Sequence, residues 1–241
     1  MTKMQKHLDE DTWRDVITAL ETLLPYYERT NLVNTLFLLP LWRRELSNNV
    51  KPEEEILEIG SGSGGPAKLL KANRILCLDP SYLMLRFARN RLNGKNYEFV
   101  EGIAENLPFA SDSFHKIFCS FSFRDFMDKR SALKEIIRLL IPGGSVHIVE
   151  LLRPNEKWRQ KLMDTWIEKA VPAIAKVLVP DKVSRQWKTN PYVHFARTYR
   201  MMSPIGEYVS MAKEVGFKEI NLKFLGMKSI FILQGVKPRT M

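Results

Sequence analysis

Short apolar runs alternate with amphipathic segments over most of the chain. Such alternation is typical of buried parallel strands joined by helices, with right-handed crossovers between strands. The predicted strands are 56–59, 74–78, 97–100, 114–121, 145–151, 218–224 and 228–235. Because Gly226 lies between the last two, we expect them to close as an antiparallel hairpin. The pattern therefore predicts an α/β protein with a mostly parallel sheet of seven strands and helices on both faces.

Apolar residues at helical spacing mark the segments around the strands. Pro25 is expected to end the first helix, Pro40 to divide a second helical region, and Pro142-Gly143-Gly144 to form a turn before the fifth strand. The predicted helices are 10–24, two pieces within 32–46, 82–92, 128–140, 190–202 and 207–215.

The segment after the first strand is rich in glycine. Gly60, Gly62 and Gly65 follow the apolar run Ile56–Ile59, and a helix is expected to begin near Ala67. Glycine permits positive φ and lets a ligand approach the backbone, while a helix N-terminus offers free N–H groups. The pattern therefore indicates a nucleotide-type ligand at the carboxyl end of the first strand.

Two acidic residues help to choose between candidate ligands. Glu58 lies two residues before Gly60, where a carboxylate can pair with a ligand ammonium. S-adenosylmethionine (SAM) has an ammonium there, whereas NAD has a negative pyrophosphate. Asp79 ends the second strand and can accept both ribose hydroxyls of an adenosine, although it is also placed to cap the next helix. We predict SAM, with NAD and a purely structural glycine turn as alternatives.

Composition limits the classes of protein that fit. The 241 residues suffice for one α/β domain with additions, and the net charge is +10. Eleven basic and four acidic residues lie between Arg153 and Arg200, which places +7 of this charge in one segment. Such a face suits anionic lipid or nucleic acid, unless it is an ordinary solvated surface. No apolar run is long enough to span a membrane, and the polar stretch Met1–Asp11 lacks the pattern of a signal peptide.

The cysteines and histidines suggest little further chemistry. Cys77 and Cys119 lie in apolar runs, which favours core thiols and a reducing cytoplasm. His115 and His147 lie in predicted strands, so we expect them to be structural. No His/Cys cluster has the spacing of metal ligands, so we expect no metal.

The chain divides into three predicted regions. Residues 1–50 form an N-terminal helical segment that covers the cofactor site, 51–153 with 204–241 form the SAM-binding domain, and 154–203 form an inserted helical cap for the acceptor. The cap carries an apolar stripe that either lines a channel or packs on the core. The stripe comprises Trp158, Leu162, Trp166, Val171 and Ile174.

Further motifs support a resemblance to known families. Leu107-Pro108-Phe109, Ser113-Phe114 and Pro142-Gly143-Gly144 occur in the order found in class I SAM-dependent methyltransferases, which share a Rossmann-like sheet. Tyr27, Asn31 and Trp42, together with the block Phe121–Asp125, fall at more specific spacings. On these residues the chain resembles the UbiE/MenG-type quinone C-methyltransferases, which methylate the ring of ubiquinone and menaquinone precursors.

Some positions depart from the pattern of that family. Ile103 stands where the family usually has an aspartate near the adenine amino group, so we expect the backbone at Ala104 to serve instead. Ser122 replaces a glycine, Asp125 replaces an asparagine and Leu39 replaces a histidine. An unusual quinone or another aromatic acceptor is therefore compatible with the resemblance.

The glycine segment and the resemblance together imply a set of site residues. Arg124 is the catalytic candidate. The cofactor-binding candidates are Tyr27, Glu58, Gly60, Ser61, Gly62, Asp79, Pro80, Ala104, Glu105 and Ser120. The acceptor-binding candidates are Asn31, Phe121, Phe123, Trp166, Tyr192 and His194.

Arg124 owes its predicted role to the chemistry of the implied reaction. A ring carbon is a weak nucleophile until a neighbouring hydroxyl loses its proton, so the resemblance implies a reduced quinol as acceptor. A guanidinium stays charged and can stabilise the phenolate or orient a water that removes the proton. The alternative is a structural salt bridge of Arg124 with Asp125 or Asp128.

The resemblance also implies partners. The expected acceptor is a lipid-tailed aromatic small molecule, taken from an anionic membrane surface by a cytoplasmic protein that attaches peripherally. The alternatives are a methyltransferase of another small aromatic or lipid acceptor, a tRNA or DNA methyltransferase, and a non-catalytic SAM-binding protein. Because Ser120–Phe123 replaces the Asn/Asp-Pro-Pro-Tyr motif of nucleic-acid enzymes, we expect no nucleic-acid partner. A homodimer remains open.

Overall fold

A single sheet organises the structure, a computed structural model that describes residues 9–48, 50–185, 187 and 190–239. The residues outside these ranges include most of the predicted polar opening of the chain and Lys188 of the basic segment. The strands are β1 (Glu55–Ile59), β2 (Arg74–Asp79), β3 (Tyr97–Glu101), β4 (Phe114–Ser120), β5 (Leu140–Leu151), β6 (Lys218–Leu225) and β7 (Ile230–Val236).

The strand order is β3-β2-β1-β4-β5-β7-β6. Strands β1 to β5 are parallel, whereas β7 is antiparallel to both β5 and β6. The predicted mostly parallel, seven-stranded sheet with a closing hairpin is therefore confirmed. The order reverses direction between β1 and β4, which opens a crevice at their carboxyl ends.

Helices surround this sheet, and most of their predicted positions are correct. Helix α1 ends earlier than predicted, because the chain enters a 3₁₀ turn, Leu24–Tyr26, around Pro25. The two helical pieces predicted within 32–46 are present, although residues 35–38 separate them. Pro40 lies in the first turn of α3, where its missing N–H leaves no hydrogen bond unmade. The helices are α1 (Glu10–Glu21), α2 (Tyr27–Asn34), α3 (Leu39–Ser47), α4 (Tyr82–Arg91), α5 (Lys129–Leu139), α6 (Lys157–Thr165), α7 (Val171–Leu178), α8 (Asp181–Ser184), α9 (Pro191–Arg200) and α10 (Ile205–Val215).

Helix α5 shows how the sequence determines one of these elements. Asp128 caps its N-terminus by accepting hydrogen bonds from the backbone of Arg130 and Ser131, a type of cap worth about 1 kcal/mol. Leu133 and Ile136 recur at helical spacing and are buried against the sheet. The cap and the apolar face together fix where the helix begins and which side faces the core.

Two local predictions were wrong. The helix expected after the glycine segment is only a short 3₁₀ turn, Ala67–Leu69, because few residues remain before β2 begins at Arg74. The expected turn at 142–144 is instead the beginning of β5, which joins the sheet with a shift of register. Gly143 makes this possible, because its φ of 82° belongs to the left-handed region.

The N-terminal segment and the inserted cap share a hydrophobic core of their own. Leu23 packs there with residues of α7 and with Tyr192 of α9. Helix α1 also packs against α9, and α2 packs against α7. The two segments therefore form one layer over the crevice, although more than a hundred residues separate them in the sequence.

Candidate active site

The site is formed where the carboxyl ends of β1, β2 and β4 meet the layer of helices above them. Two adjoining cavities lie there, and both are lined by Leu20, Tyr27, Gly60, Gly62, Phe121 and Arg124. The smaller cavity extends toward the ends of β2 and β3. The larger one extends between α2, α3 and the inserted cap.

Backbone geometry explains the glycines that follow β1. Gly60 has a φ of 70°, and a Cβ atom there would lie 2.3 Å from the Cβ of Ser122. The hydroxyl of Ser122 donates to the carbonyl of Ile59, which holds the two segments together. Gly62 has a φ of 52° with open space beside it. The segment is thus a cradle that larger residues would fill or strain.

Asp79 lies at the end of β2 and lines the smaller cavity. Its carboxylate accepts from the backbone N–H of Gly62 at 2.8 Å and of Ser81 at 3.0 Å. Burial outweighs these hydrogen bonds and raises the pKa of Asp79 to about 6. The helix cap that was the alternative role for Asp79 belongs to Ser81, whose hydroxyl accepts from Met84 N–H. Asp79 therefore orders the cradle and faces the cavity.

Glu58 is fully buried in β1, behind the cavity wall. Within the described part of the chain, neither carboxylate oxygen makes a hydrogen bond of ordinary geometry, and the same holds for the hydroxyls of Ser61 and Ser120. The Ser120 hydroxyl and the Ala67 N–H still lie close enough to lower the pKa of the Glu58 carboxyl. Burial raises the pKa of Glu58 to about 8, although Arg43 acts in the opposite direction. A buried carboxyl without a partner is unfavourable unless a ligand completes it. Glu58 itself lines neither cavity, so the structure places the predicted partner of the SAM ammonium behind the wall and not in contact with the cavity.

The smaller cavity contains most of the predicted cofactor residues. Helix α1 covers it with Trp13, Val16, Ile17 and Leu20. Glu105 also stabilises the edge of this cavity, because its carboxylate accepts a hydrogen bond from the Asp128 N–H at 3.0 Å. The predicted cofactor residues that line this cavity are Tyr27, Gly60, Gly62, Asp79, Pro80, Ala104 and Glu105, whereas Ser61 and Ser120 line the larger cavity.

The larger cavity has a volume of about 540 Å³ and mostly apolar walls. Trp166 of the cap lines it and donates through Nε1 to the carbonyl of Asn34 at 3.1 Å. The Tyr192 hydroxyl contacts Thr30 and Asn31 at 2.7 and 3.1 Å. Four of the six predicted acceptor residues line the cavity, namely Asn31, Phe121, Trp166 and Tyr192.

The structure does not bring the other predicted acceptor residues into the site. Phe123 is 1% exposed in the hydrophobic core, where it packs edge-to-face on Phe126 and Tyr208. His194 is half-buried on α9 and lines neither cavity. In the apolar stripe, Ile174 also lies away from the cavity, while Trp158, Leu162, Trp166 and Val171 line it. Neighbouring residues on a helix face different directions, so sequence proximity misled these assignments.

Arg124 lies where the two cavities meet and is held by two carboxylates. Its guanidinium is 3.2 Å from Glu150 and 3.1 Å from Asp125, and it stacks at 4.8 Å on the ring of Phe195. Burial acts to lower the pKa of Arg124, but the two carboxylates raise it. The predicted alternative, an ion pair with Asp125, is thus present. This ion pair holds the guanidinium of Arg124 in place, and Arg124 still lines both cavities.

The structure places three further residues at the site that were not predicted from the sequence. Glu150 follows an apolar run in β5 and gave no sign of facing Arg124. Arg43 lines the larger cavity beside the glycine segment. Asn34 lines it too, and neither its amide nitrogen nor its oxygen has a hydrogen-bond partner in the described ranges. The position of Arg43 next to Trp42 of the N-terminal motif was the one available signal.

Other predicted features can be located as well. His147 is buried and stacks on Phe118, and burial lowers its pKa to about 4. Cys77 and Cys119 are buried free thiols. Within the described ranges, no group of His, Cys, Asp and Glu could hold a metal ion. No helix in that part of the chain is long and apolar enough to cross a membrane.

Comparisons with known proteins bear on this geometry. A sequence model of the ubiE/COQ5 methyltransferase family matches residues 5–237. The chain is 32% identical over 231 residues to the demethylmenaquinone methyltransferase of Thermotoga maritima, covering 92% of this chain and 96% of that protein. It is 29% identical over 218 residues to the ubiquinone/menaquinone biosynthesis C-methyltransferase UbiE of Legionella pneumophila strain Corby, covering 86% and 84%.

Solved structures share the fold. A SAM-dependent methyltransferase from Thermotoga maritima superimposes with a TM-score of 0.65 at 21% identity, covering 92% of this chain and 99% of that one. The same sheet and surrounding helices therefore occur in proteins of quite different sequence.

Proposed function

Because the chain belongs to the ubiE/COQ5 methyltransferase family, we propose that it methylates a ring carbon of a reduced isoprenoid quinone precursor. It is a SAM-dependent methyltransferase. The observation that carries the proposal is the meeting of the cofactor cavity with a large apolar cavity at Arg124 and Tyr27. A ring bound in the larger cavity would contact both residues.

The cofactor supplies an electrophilic methyl group when bound. The residues of the chain that would hold it are Glu58 for the ammonium, the cradle at Gly60 and Gly62 for the methionine moiety, and Asp79 for the ribose. In-line transfer depends mainly on positioning, which the rigid strand ends provide. Helix α1 covers this side with apolar side chains.

Arg124 would stabilise the negative charge of a ring hydroxyl that has lost its proton. Its ion pairs and its stacking on Phe195 hold the guanidinium in place before the acceptor arrives. A preorganised cation of this kind is effective in a site of low dielectric. A quinone lacks such a hydroxyl, so the acceptor must be the reduced quinol.

The walls of the larger cavity suit an isoprenoid tail. Trp166, Ile167 and Val171 of the cap face Leu39 and Trp42 of α3 across it. Apolar walls gain roughly 25 cal/mol for each Å² of ligand surface removed from water. A ligand that filled the cavity with hydrocarbon would therefore bind through its tail as well as its ring.

The mouth of this cavity suggests how such a ligand arrives. Several residues line the cavity and are also exposed, a combination that is unfavourable in water. We call them the apolar rim. The rim comprises Leu36, Leu38, Trp158, Leu162 and Met227.

Basic residues accompany the rim. Lys157 and Lys161 lie beside Trp158 on α6, and Lys228 follows Met227; all three are exposed. Arg159 donates to the carbonyl of Met227 and joins the hairpin tip to α6. We propose that the rim rests on an anionic membrane surface, from which the tailed acceptor enters the cavity. No nucleic-acid partner is proposed.

Methyl transfer to purified acceptors tests the proposal. The protein is incubated with SAM and demethylmenaquinol, kept reduced with dithionite, and the products are identified by mass spectrometry. We expect a singly methylated quinol and S-adenosylhomocysteine in equal amounts, and no transfer to the oxidised quinone. Binding of SAM without any transfer to the reduced quinol would contradict the quinol assignment. Gly60→Val, which blocks the cradle, is the inactive control.

A further inference from the structure

The glycine segment offers few free donors to the carboxylate of an amino-acid ligand. No regular helix follows it, only the 3₁₀ turn Ala67–Leu69, so there is no helix N-terminus to attract an anion. The backbone N–H groups of Gly60, Ser61, Gly62 and Gly64 all donate to acceptors of the protein. A charged donor from another element would therefore add strongly to the binding of a carboxylate here.

Arg43 of α3 is placed to be that donor. It lines the larger cavity together with Ser61, Gly62 and Ser63. Its terminal nitrogens lie 2.6 and 3.3 Å from Glu28, whereas Nε is buried and lacks a partner within the described ranges. The side chain is 13% exposed, so the charge is largely removed from water.

The contact with the glycine segment is close. A Cβ atom at Gly65 would lie 2.5 Å from Nη1 of Arg43 and 2.6 Å from Glu28. Only glycine therefore lets the guanidinium lie against the segment. The hydroxyl of Ser63 also donates to Glu28, at 2.7 Å, which fixes the carboxylate between α2 and the segment.

The charges around Glu28 leave a positive excess. The single carboxylate of Glu28 is close to two guanidiniums, since Arg91 lies 3.7 Å from it and the cavity-lining Arg43 lies 2.6 Å from it. Burial raises the pKa of Glu58, and Arg43 is the strongest influence that opposes it. Arg43 is thus within electrostatic reach of the buried Glu58 carboxyl.

We propose that Arg43 binds the carboxylate of the methionine moiety of SAM, opposite Glu58. A cation and a buried carboxyl on either side of one segment complement the two charges of an α-amino acid. Arginine suits a carboxylate because it offers several N–H donors in a fixed plane. The inference rests on the binding of SAM and not on the identity of the acceptor.

Two ligands that differ only in the carboxylate test it. SAM and decarboxylated SAM are titrated into the parent protein and into Arg43→Gln by calorimetry. A hydrogen bond to a charged group contributes about 1.5–3 kcal/mol, which corresponds to roughly 10- to 100-fold in affinity. We expect Arg43→Gln to lose that factor for SAM and to bind decarboxylated SAM within about twofold of the parent.

Arg91→Gln is the matched control. It removes the other guanidinium on Glu28 but does not line either cavity. We expect it to affect both ligands equally. Arg43→Lys, which retains the charge and the fold more closely, should fall between the parent and Arg43→Gln in its preference for SAM.

Two results would overturn the proposal. One is an equal loss of affinity for both ligands in Arg43→Gln, which indicates a purely structural ion pair with Glu28. The other is no loss of affinity for SAM in Arg43→Gln, which would mean that another donor binds the carboxylate. Both results come from the affinities for SAM and decarboxylated SAM, which do not depend on the acceptor. A failed quinol assay would therefore contradict the proposed acceptor without affecting the proposal about Arg43.

Discussion

Arg124 and Glu150 form a buried ion pair at the junction of the two cavities. Nη1 of Arg124 lies 3.2 Å from Oε1 of Glu150, whose side chain has no exposed surface. The backbone N–H of Arg124 also donates to Glu150. The pair therefore fixes both the guanidinium and the turn that carries it.

Replacing Arg124 should separate its structural role from its chemical role. Removing one partner of a buried ion pair costs about 3–5 kcal/mol, because the other charge is left uncompensated. We expect Arg124→Ala to lower the free energy of unfolding by that amount, to reduce turnover by at least about 100-fold and to leave SAM affinity within about threefold. Urea unfolding, single-turnover assays and calorimetry measure the three quantities.

The double variant Arg124→Met/Glu150→Gln is its control. With the Arg124–Glu150 pair removed and only the partly exposed Asp125 left without its cation, we expect at least half of the lost stability to return. Turnover should remain absent, since no cation faces the acceptor. Recovery of turnover with stability would show that Arg124 acts only through the fold.

Glu58 should make the stability of the ligand-free protein depend on pH. Its pKa is raised to about 8 from a usual value near 4.5. Between these values the unfolded chain releases a proton that the folded chain keeps, so the free energy of unfolding falls as pH rises and levels off above about pH 8. We expect Glu58→Gln to become progressively more stable than the parent from pH 5 to pH 8. Thermal unfolding across this range measures the difference, and parallel curves would contradict it.

Binding of SAM should release a proton through the same residue. At pH 6.5 the Glu58 carboxyl of the ligand-free protein retains its proton, and pairing with an ammonium requires the ionised form. Calorimetry in buffers of different ionisation enthalpy should show release of a proton by the parent protein. Asp79, whose pKa is near 6, contributes less at this pH. Equal release by Glu58→Gln would mean that the proton comes from elsewhere.

Trp166 should discriminate between acceptors with and without a tail. It lines the larger cavity, where loss of its apolar surface removes roughly 1.5–3 kcal/mol from tail binding. We expect Trp166→Ala to raise KM for a long-tailed quinol about 10-fold or more and for a tailless one less than about threefold. Trp13→Ala is the matched control, because Trp13 lines the smaller cavity and not the larger one. Equal effects on both quinols would place the tail outside this cavity.

Because of the apolar rim and the lysines beside it, we expect the protein to bind anionic vesicles. Each basic residue near such a surface contributes about 1 kcal/mol. We expect charge reversal at Lys157, Lys161 and Lys228 to abolish co-sedimentation with phosphatidylserine vesicles at low salt, and Met227→Ser with Trp158→Ser to weaken it at any salt. Charge reversal at Lys213 and Lys218, exposed on α10 and β6, is the control. If the parent protein does not co-sediment with these vesicles at low salt, the proposal that the apolar rim binds a membrane surface is contradicted.

Several features followed from the sequence alone. The strands, the hairpin around Gly226 and helices such as α5 were predictable because burial imposes a local period on apolar residues. The glycine segment and Asp79 indicated the cofactor side, because strand ends in a parallel sheet meet along one edge. These signals depend on residues that are close together in the chain.

Tertiary structure decided the rest. It placed Arg43 against Gly65, Glu150 against Arg124, and Trp166 against Asn34, partners that local periodicity cannot relate. It also buried Phe123 in the core, because the side chains of a turn point in directions that packing, and not spacing, determines. The sequence by itself therefore determined the sheet and indicated the strand ends at which the cofactor is predicted to bind. The charges and walls that surround the ligands depend on contacts between distant segments, which form only when the N-terminal helices and the cap pack together.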